Sequence, residues 1–468
     1  MEPKVTIVIV NWNKKQDALR LLDSVAAIEY ENYQVVVVDN ASDDDSVSVI
    51  KAHALPLTLI ENPQNLGGTG GFNTGLKYAL DNGQQDYVWL LDNDATVTPS
   101  ALSALVRAME DDKAIALAGS KILNAERPEK VVETGANIIW SAGNVVPLNQ
   151  NCDDSIELKE IFDVDYVAIC SALVRYSALQ TVGLMDQRYF LLWDDMDWGA
   201  TFKQHGYRVV AVGDSIVKHA AFTEKRSVMV DYYFGVRNPL LTVSKHARGL
   251  ERLRGLVAIL RRAMYFRFLF AVTGRKSQAF MPKRAVLDFL SERWGKFQGG
   301  PQNNNIQQRT QANPKEFKGA SILVLPLGSE TEIARMVDSL RAANGDNVRL
   351  TLLVQSFRRH LFADLPLDEF ILFDPATQNV ITENLRTLAK VYKGHFDVAV
   401  TADQEKLTPF SFAVPKAYYY DNSQKNWVSL NEGLKQIWRL AYAFLAGEFM
   451  VWALLPFVYR KARVYQNQ

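Results

Sequence analysis

Cysteine is almost missing: Cys152 and Cys170 are alone in 468 residues and fit no CxxC or Cys/His spacing. That excludes a disulfide scaffold and a structural zinc site, and it fits a reducing compartment. An excess of one charge is missing too. Lys plus Arg (52) equals Asp plus Glu (52), so no global field draws the chain to nucleic acid or another polyanion. No basic region followed by an apolar one and a cleavage site opens the chain, so export is not expected. The apolar stretch Ile437 to Tyr459 is interrupted by Arg439 and Glu448, leaving no charge-free run of about 18 residues, which disfavours a spanning helix. What is plentiful is core-forming side chain, 48% hydrophobic and 11% aromatic, in a chain long enough for more than one domain.

The pattern divides this chain. Val5 to Val10 and Val35 to Val38 are β-branched runs, and Leu19, Leu22, Val25 and Ala26 lie between them at helical spacing. Strands are predicted again at Leu57 to Ile60 and Tyr87 to Leu91, with a helix around Gly75 to Leu80. Alternating strands and helices imply an α/β fold with a mostly parallel, doubly wound sheet, whose ligands bind beyond the carboxyl ends of the strands. The expected layout is an N-terminal α/β domain over 1–244, a basic helical extension over 245–296, a polar linker over 297–318, a small α/β domain over 319–425 and an aromatic-rich helix over 426–468. In the basic segment Leu253, Leu256, Val257, Leu260, Met264 and Phe268 form an apolar stripe with arginines off it. Such a helix either lies on a membrane or packs on the domain before it with its basic face in water. The small domain shows no Gly-rich phosphate loop and no carboxylate pair after a strand, so it is expected to be structural or acceptor-positioning.

Asp92 and Asp94 follow directly on Val88-Trp89-Leu90-Leu91 and so emerge at the ligand edge. Two carboxylates one residue apart can share a hard divalent cation that bridges a diphosphate and neutralises charge on a departing nucleotide, although Asp-Asn-Asp is also common turn chemistry. Asp39 ends another strand at the same edge and can accept from a base or ribose, or cap a helix. Gly67-Gly68-Thr69-Gly70-Gly71 reads as a loop before a helix carrying Asn73 and Gly75, either plainly flexible or offering backbone N–H groups to an anion. It lacks the Gly-Lys-Ser/Thr ending of a P-loop. Trp193-Asp194-Asp195-Met196-Asp197-Trp198 sets three carboxylates between indoles, where desolvation and like charge raise a carboxyl pKa and suit a general base; an acidic helix start is the other reading. His219 closes a strand-like run, as a nitrogen ligand or a packed histidine.

The order of these motifs resembles that of family 2 inverting glycosyltransferases, over about the first half of the chain. The resemblance rests on Val5 to Asn13, Val38-Asp39-Asn40-Ala41-Ser42, Asn65 to Asn73, Leu91-Asp92-Asn93-Asp94 and Trp193 to Trp198. It implies the A-type glycosyltransferase fold and a nucleoside-diphosphate sugar donor. It also implies Asp39 on the nucleoside, Asp92 and Asp94 as a metal-binding DxD motif for Mn²⁺ or Mg²⁺ with His219 as a further ligand, and Asp195 as base with Asp194 beside it. Asn11, Asn65, Gly68, Gly71, Asn73, Asp92 and Trp193, drawn from the same motifs, are the further candidates for donor contact. Within the family the glycine-rich and Trp-Asp-Asp stretches, with Tyr232 to Asn238, are most similar to bacterial galactofuranosyl- and rhamnosyltransferases of surface polysaccharide synthesis. That implies a growing, polyprenyl-linked glycan as acceptor, no nucleic acid, and a cytoplasmic protein held peripherally at the inner membrane face. Asp194 departs from the Glu that many members carry. A nucleotidyltransferase would be expected to carry a basic residue in its glycine loop, which is uncharged here, and a non-catalytic glycan-binding scaffold should have lost Asp92, Asp94 or Asp195.

Overall fold

The structure, a computed structural model, describes residues 2–150, 152–154, 161–219, 230–272, 276–299, 311–312, 317–325, 327, 330–373, 380–402, 414–421, 426–429 and 433–465. The chain forms two units, Met1–Gly300 with Ala446–Gln468, and Pro301–Leu445. Most of the linker expected at 297–318, namely 300–310 and 313–316, lies outside the described residues.

In the first unit the β-branched runs and amphipathic stretches become β1 (Val5–Asn11), α1 (Lys15–Ala26), β2 (Tyr33–Asp39), α2 (Ser46–Lys51), β3 (Leu57–Glu61), α3 (Gly67–Asn82), β4 (Tyr87–Asp92), β5 (Ala95–Val97), α4 (Ala101–Asp111) and β6 (Ile115–Asn124). There follow β7 (Val131–Glu133), a hairpin of β8 (Ala136–Ile139) and β9 (Asn144–Pro147), β10 (Ile161–Asp163), β11 (Ser171–Arg175), α5 (Tyr176–Val182), α6 (Asp194–Gln204) and β12 (Arg208–His219). The sheet runs β10-β12-β6-β11-β4-β1-β2-β3, with β5 paired to β12 and β7 to β6. Strands β3, β2, β1 and β4 are parallel, and β11 is antiparallel to both of its neighbours.

Alternation along β1 sets the layers, because successive side chains leave a strand on opposite faces. Val5, Ile7 and Ile9 pack with Leu21, Leu22 and Val25 of α1 and Leu102 and Leu105 of α4. Val8 and Val10 pack with Phe72 and Leu76 of α3 and Trp198 and Phe202 of α6. The glycine run differs from the loop expected of it, since its residues are the first turns of α3 themselves. A Cβ at Gly75 would lie 2.1 Å from Val8 Cγ1, and one at Gly71 would lie 2.6 Å from Val10 Cγ1, so the helix sits closer to β1 than any side chain allows.

Three more helices, α7 (Gly235–His246), α8 (Gly249–Val272) and α9 (Lys276–Leu290), build a separate helical core. Leu256, Leu260 and Met264 of the basic segment are buried in it, so this stripe is spent on packing while Arg254 and Arg261 stay exposed. The second unit contains β13 (Gln311–Ala312), β14 (Ser321–Leu325), α10 (Glu330–Asn344), β15 (Arg349–Gln355), β16 (Glu369–Phe373), α11 (Val380–Lys393), β17 (Val398–Thr401), β18 (Lys416–Asp421) and β19 (Asn426–Ser429). Its sheet, in the order β13-β19-β18-β17-β14-β15-β16, is parallel from β18 to β16 and forms the further α/β domain that the pattern predicts.

The last helix, α12 (Gly433–Val464), modifies one expectation. Between Ala441 and Val464 it is long and apolar enough to cross a membrane, despite the interruptions in its sequence. Glu448, one of those interruptions, is paired with Arg261 at 2.7 Å. Val451, Leu455, Val458 and Ala462 join the helical core of the first unit, whereas Phe449, Trp452 and Phe457 are 76%, 59% and 65% exposed.

Candidate active site

Register brings the first polar groups together, because β1 pairs Asn11 with Asp39 of β2 and Val10 with Asp92 of β4. All three stand at the carboxyl edge of the parallel strands, where α/β sheets bind ligands. Asp39 is buried and accepts from Asn11 Nδ2 (3.0 Å), Ser42 Oγ (2.6 Å) and Ser42 N (2.9 Å), while Asn11 Oδ1 accepts from Asn93 Nδ2 (2.9 Å). After Asp94 the chain enters β5, which pairs antiparallel with the end of β12 and sets His219 opposite Ala95. One short strand therefore carries a distant histidine to the carboxylates.

Ligand atoms of Asp92, Asp94 and His219 lie within 4.8 Å of one another. His219 Nε2 is 2.8 Å from Asp94 Oδ1 and 3.8 Å from Asp92 Oδ2, and Lys14 Nζ donates to Asp94 Oδ2 at 2.8 Å. Burial alone would lower the imidazole pKa, but its bonds to Asp92 and Asp94 outweigh burial and raise it to about 9. Burial pushes the Asp94 carboxyl up, and His219 and Lys14 overcome this and hold it well below the usual carboxylate range. Positive groups thus gather around the two carboxylates. Two carboxylate oxygens and one imidazole nitrogen are a donor set for a hard or borderline divalent metal.

On the other side, Leu192 and Trp193 adopt left-handed backbone and α6 begins at Asp194. Asp194 Oδ2 accepts from Thr69 Oγ1 of α3 at 2.7 Å, and Asp195 Oδ1 from the backbone N–H of Met196 at 2.9 Å. Burial pushes both carboxyls up, and the neighbouring Asp194 adds to the shift of Asp195, which makes Asp195 a stronger base than a free carboxylate. Cys170 feels the same acidic groups. Its buried thiol is pushed well up by desolvation first and then by the charges of Asp92, Glu133, Asp94 and Asp195.

Not every predicted site residue joins them. Asn73 is buried and bonded both ways to Met185, accepting from its N–H (3.0 Å) and donating to its carbonyl (2.8 Å). Gly71 packs on Val10, and Trp193 is buried in the helical core. Gly68 is open, with only Leu191 Cδ1 near a Cβ position at 3.8 Å, and Asn65 Oδ1 accepts from the Gly67 N–H at 2.7 Å. Sequence reading passed over three residues. Lys14 directly follows Asn11-Trp12-Asn13 and could have been flagged as a cation beside the motif; Thr69 lies inside the glycine run. Glu133 of β7 belongs to no motif, yet it is buried with no partner for Oε1 among the described residues, and burial, opposed by His219, pushes its carboxyl to about 7.

The model of the family described as "Glycosyl transferase family 2" matches residues 6–171, which hold β1 to β6 and the Asp92–Asp94 pair. Residues 6–171 form a family 2 glycosyltransferase domain. Its sheet, with helices on both faces, is the A-type glycosyltransferase fold. This glycosyltransferase domain is similar to galactofuranosyltransferase GlfT2 of Mycobacterium tuberculosis, 27% identical over 41% of this chain and 32% of that protein. It is similar also to GlfT2 of Mycolicibacterium smegmatis, 24% identical over 64% and 48%. The chain thus spans a third to a half of the length of these relatives. The dTDP-rhamnosyl transferase RfbF of Shigella flexneri is 22% identical over 53% of this chain and 82% of its own. Among solved structures, S. aureus TarS 1–349 in complex with UDP-GlcNAc superposes at a TM-score of 0.41 with 15% identity, covering 62% of this chain and 81% of that one.

Proposed function

We infer that this protein is an inverting, metal-dependent glycosyltransferase that moves galactofuranose or rhamnose from a nucleoside-diphosphate sugar to a hydroxyl of a growing, polyprenyl-linked bacterial surface polysaccharide. The cluster of Asp92, Asp94 and His219, whose ligand atoms lie within 4.8 Å of one another at the carboxyl edge of the sheet, is the observation that carries the reading. The names of the similar galactofuranosyl- and rhamnosyltransferases support the two sugars.

In this reading Asp39, Asn11 and Asn65 hold the nucleoside end, and Gly68 lets the backbone approach the donor. A Mn²⁺ or Mg²⁺ ion on Asp92, Asp94 and His219 would neutralise the diphosphate. Asp195 takes the proton of the acceptor hydroxyl as that oxygen bonds to the anomeric carbon from the face opposite the diphosphate. The carbon–oxygen bond to the diphosphate breaks, the nucleoside diphosphate leaves with the electron pair, and the configuration inverts. Asp194, held by Thr69, fixes the start of α6 so that Asp195 keeps its place. No carboxylate nucleophile is needed. The exposed aromatic face of α12 supports a peripheral position at the membrane, where a polyprenyl-linked acceptor resides.

The test is a panel of nucleotide sugars offered with a synthetic lipid-linked acceptor, with and without chelator, and the linkage read by NMR. Transfer with inversion that stops on chelation is expected. Products of retained configuration, or turnover indifferent to chelator, would overturn the reading. Asp92→Ala and Asp94→Ala should each weaken Mn²⁺-dependent donor binding about tenfold or more in titration calorimetry; unchanged affinity contradicts the metal assignment.

A further inference from the structure

The segment Tyr232 to Asn238 has no part in the chemistry above, yet it holds two of the most buried polar side chains described, Arg237 and Asn238, both fully inaccessible. They face the loop from Arg188 to Trp193 that delivers Asp194 and Asp195 to the site. That loop is unusual in its backbone. Phe190, Leu192 and Trp193 have φ of 65°, 65° and 68°, a left-handed conformation that bulky residues avoid and that persists only where the surroundings impose it.

The loop's carbonyls are held by donors from α7 and α3. Arg237 Nη2 donates to the carbonyls of Arg188 (3.1 Å) and Tyr189 (3.0 Å). Asn238 Nδ2 points at those of Tyr189 (3.1 Å), Leu191 (2.8 Å) and Leu192 (2.8 Å). The Phe190 carbonyl accepts from the Thr69 N–H at 3.4 Å, and that of Trp193 from the Asp197 N–H inside α6 at 3.0 Å. The amide of Asn238 is itself oriented, because its Oδ1 accepts from Arg237 Nε at 3.0 Å and so turns Nδ2 toward the loop. Arg237 is fixed in turn by Gly295 O (2.9 Å) and Tyr233 Oη (3.2 Å), and Tyr233 donates to Asp288 at 2.8 Å. Burying a guanidinium is costly, and here its donors are met by peptide carbonyls, the Asn238 amide oxygen and the Tyr233 hydroxyl.

We propose that Arg237 and Asn238 are positioning residues that clamp loop 188–193 in its left-handed form and thereby set Asp194 and Asp195 against the donor. The clamp has two jaws. Arg237 and Asn238 grip one side, while the N-terminus of α3 grips the other, where a Cβ at Gly67 would come within 2.1 Å of the Phe190 carbonyl and Thr69 binds both that carbonyl and Asp194. The glycine at position 67 and the Arg-Asn pair are thus two halves of one device, and the donor-side helix and the base-bearing helix share a single loop.

The inference rests on Asp195 acting as base, and three variants separate the two claims. Asn238→Ala removes the donor to three carbonyls, Arg237→Lys keeps charge but loses the planar fork, and Asp195→Asn removes the base itself. Turnover of the donor selected by the nucleotide-sugar panel is measured per folded molecule, with the folded fraction taken from circular dichroism. Hydrogen exchange is followed in the same samples. Both clamp variants should lose about 100-fold in kcat, the order of effect of an ångström-scale misplacement, with donor KM within about threefold of the parent. Faster exchange should be confined to residues 188–197, with the amides of β1 and β4 still protected. A parental kcat per folded molecule, or a loss expressed only as a lower melting temperature, would overturn the proposal, since a merely structural role moves stability and not kcat. Should Asn238→Ala unfold throughout, seen as exchange in β1 and β4, Arg237→Lys decides by the same criteria. Full turnover by Asp195→Asn would instead sink the assignment of the base, whichever way the clamp variants fall.

Discussion

At the scale of single residues the chemistry depends on what surrounds each carboxylate. Asp94 and Asp195 are the same side chain in opposite settings, one held low by His219 and Lys14, the other pushed up by burial and by Asp194. The first suits a ligand and the second a base. Asp195→Asn should therefore cost about 10³-fold or more in transfer while nucleotide binding, followed by calorimetry, stays intact. A base works only when deprotonated, and burial raises the pH at which this one loses its proton. The rate should consequently climb with pH through a limb lying above the ordinary carboxylate range; a pH–kcat profile already flat there contradicts the assignment. Asp92, Asp94, Asp195 and His219 were legible as residue types at strand and helix ends. Glu133 was not, because what sets it apart is the missing partner for its oxygen, a property of the folded surroundings.

At the scale of elements, α6 is anchored from beneath by Asp197. Its carboxylate accepts from Tyr189 Oη (2.8 Å), Lys245 Nζ (2.6 Å) and His246 Nε2 (2.8 Å). Burial alone would raise this carboxyl, but Lys245 and His246 outweigh it and hold it near 2, below its ordinary value of 3.8. A depressed carboxyl contributes stability that is complete above the unfolded value and is lost as pH falls through the folded one. Acid melts should show the parent losing stability between pH 3.8 and about 2, and Asp197→Asn, weaker at neutral pH, losing less across that window. Equal slopes would show that Asp197 is not the anchor. For α12 the expected result is flotation with anionic liposomes, reduced by Phe449→Ser and Trp452→Ser together; flotation that ignores both the substitutions and the lipid charge argues against membrane docking. Helical periodicity revealed α8 as amphipathic and composition marked the C-terminal helix as aromatic-rich, but neither could say which apolar residues would be buried. Packing decided that Leu256 and Leu260 are covered and Phe449 and Trp452 are not.

At the scale of the whole molecule, the first unit is discontinuous in sequence, since residues from Ala446 onward return to the helical core beside α8 and α9. Truncation after residue 300 should leave the sheet intact yet strip Val451, Leu455 and Val458 from that core, a loss of about 4 kcal/mol or more by burial alone. A truncated protein that melts at the parental temperature would show that the return is dispensable. The chain by itself determined β1 to β4 and the helices α1 and α3 among them, because β-branched runs and helical spacing are local properties. It determined too the acidic motifs that end those strands and the family they resemble. Only the tertiary structure decided that β5 pairs with β12 and so brings His219 to Asp94, and that Gly71 and Gly75 of α3 pack on Val10 and Val8. It alone shows Arg237 and Asn238 holding the loop behind Asp195. Each of these is a contact between segments far apart in the chain, and such contacts are fixed by register, close packing and the need to satisfy buried polar groups, none of which is written in any one stretch of sequence.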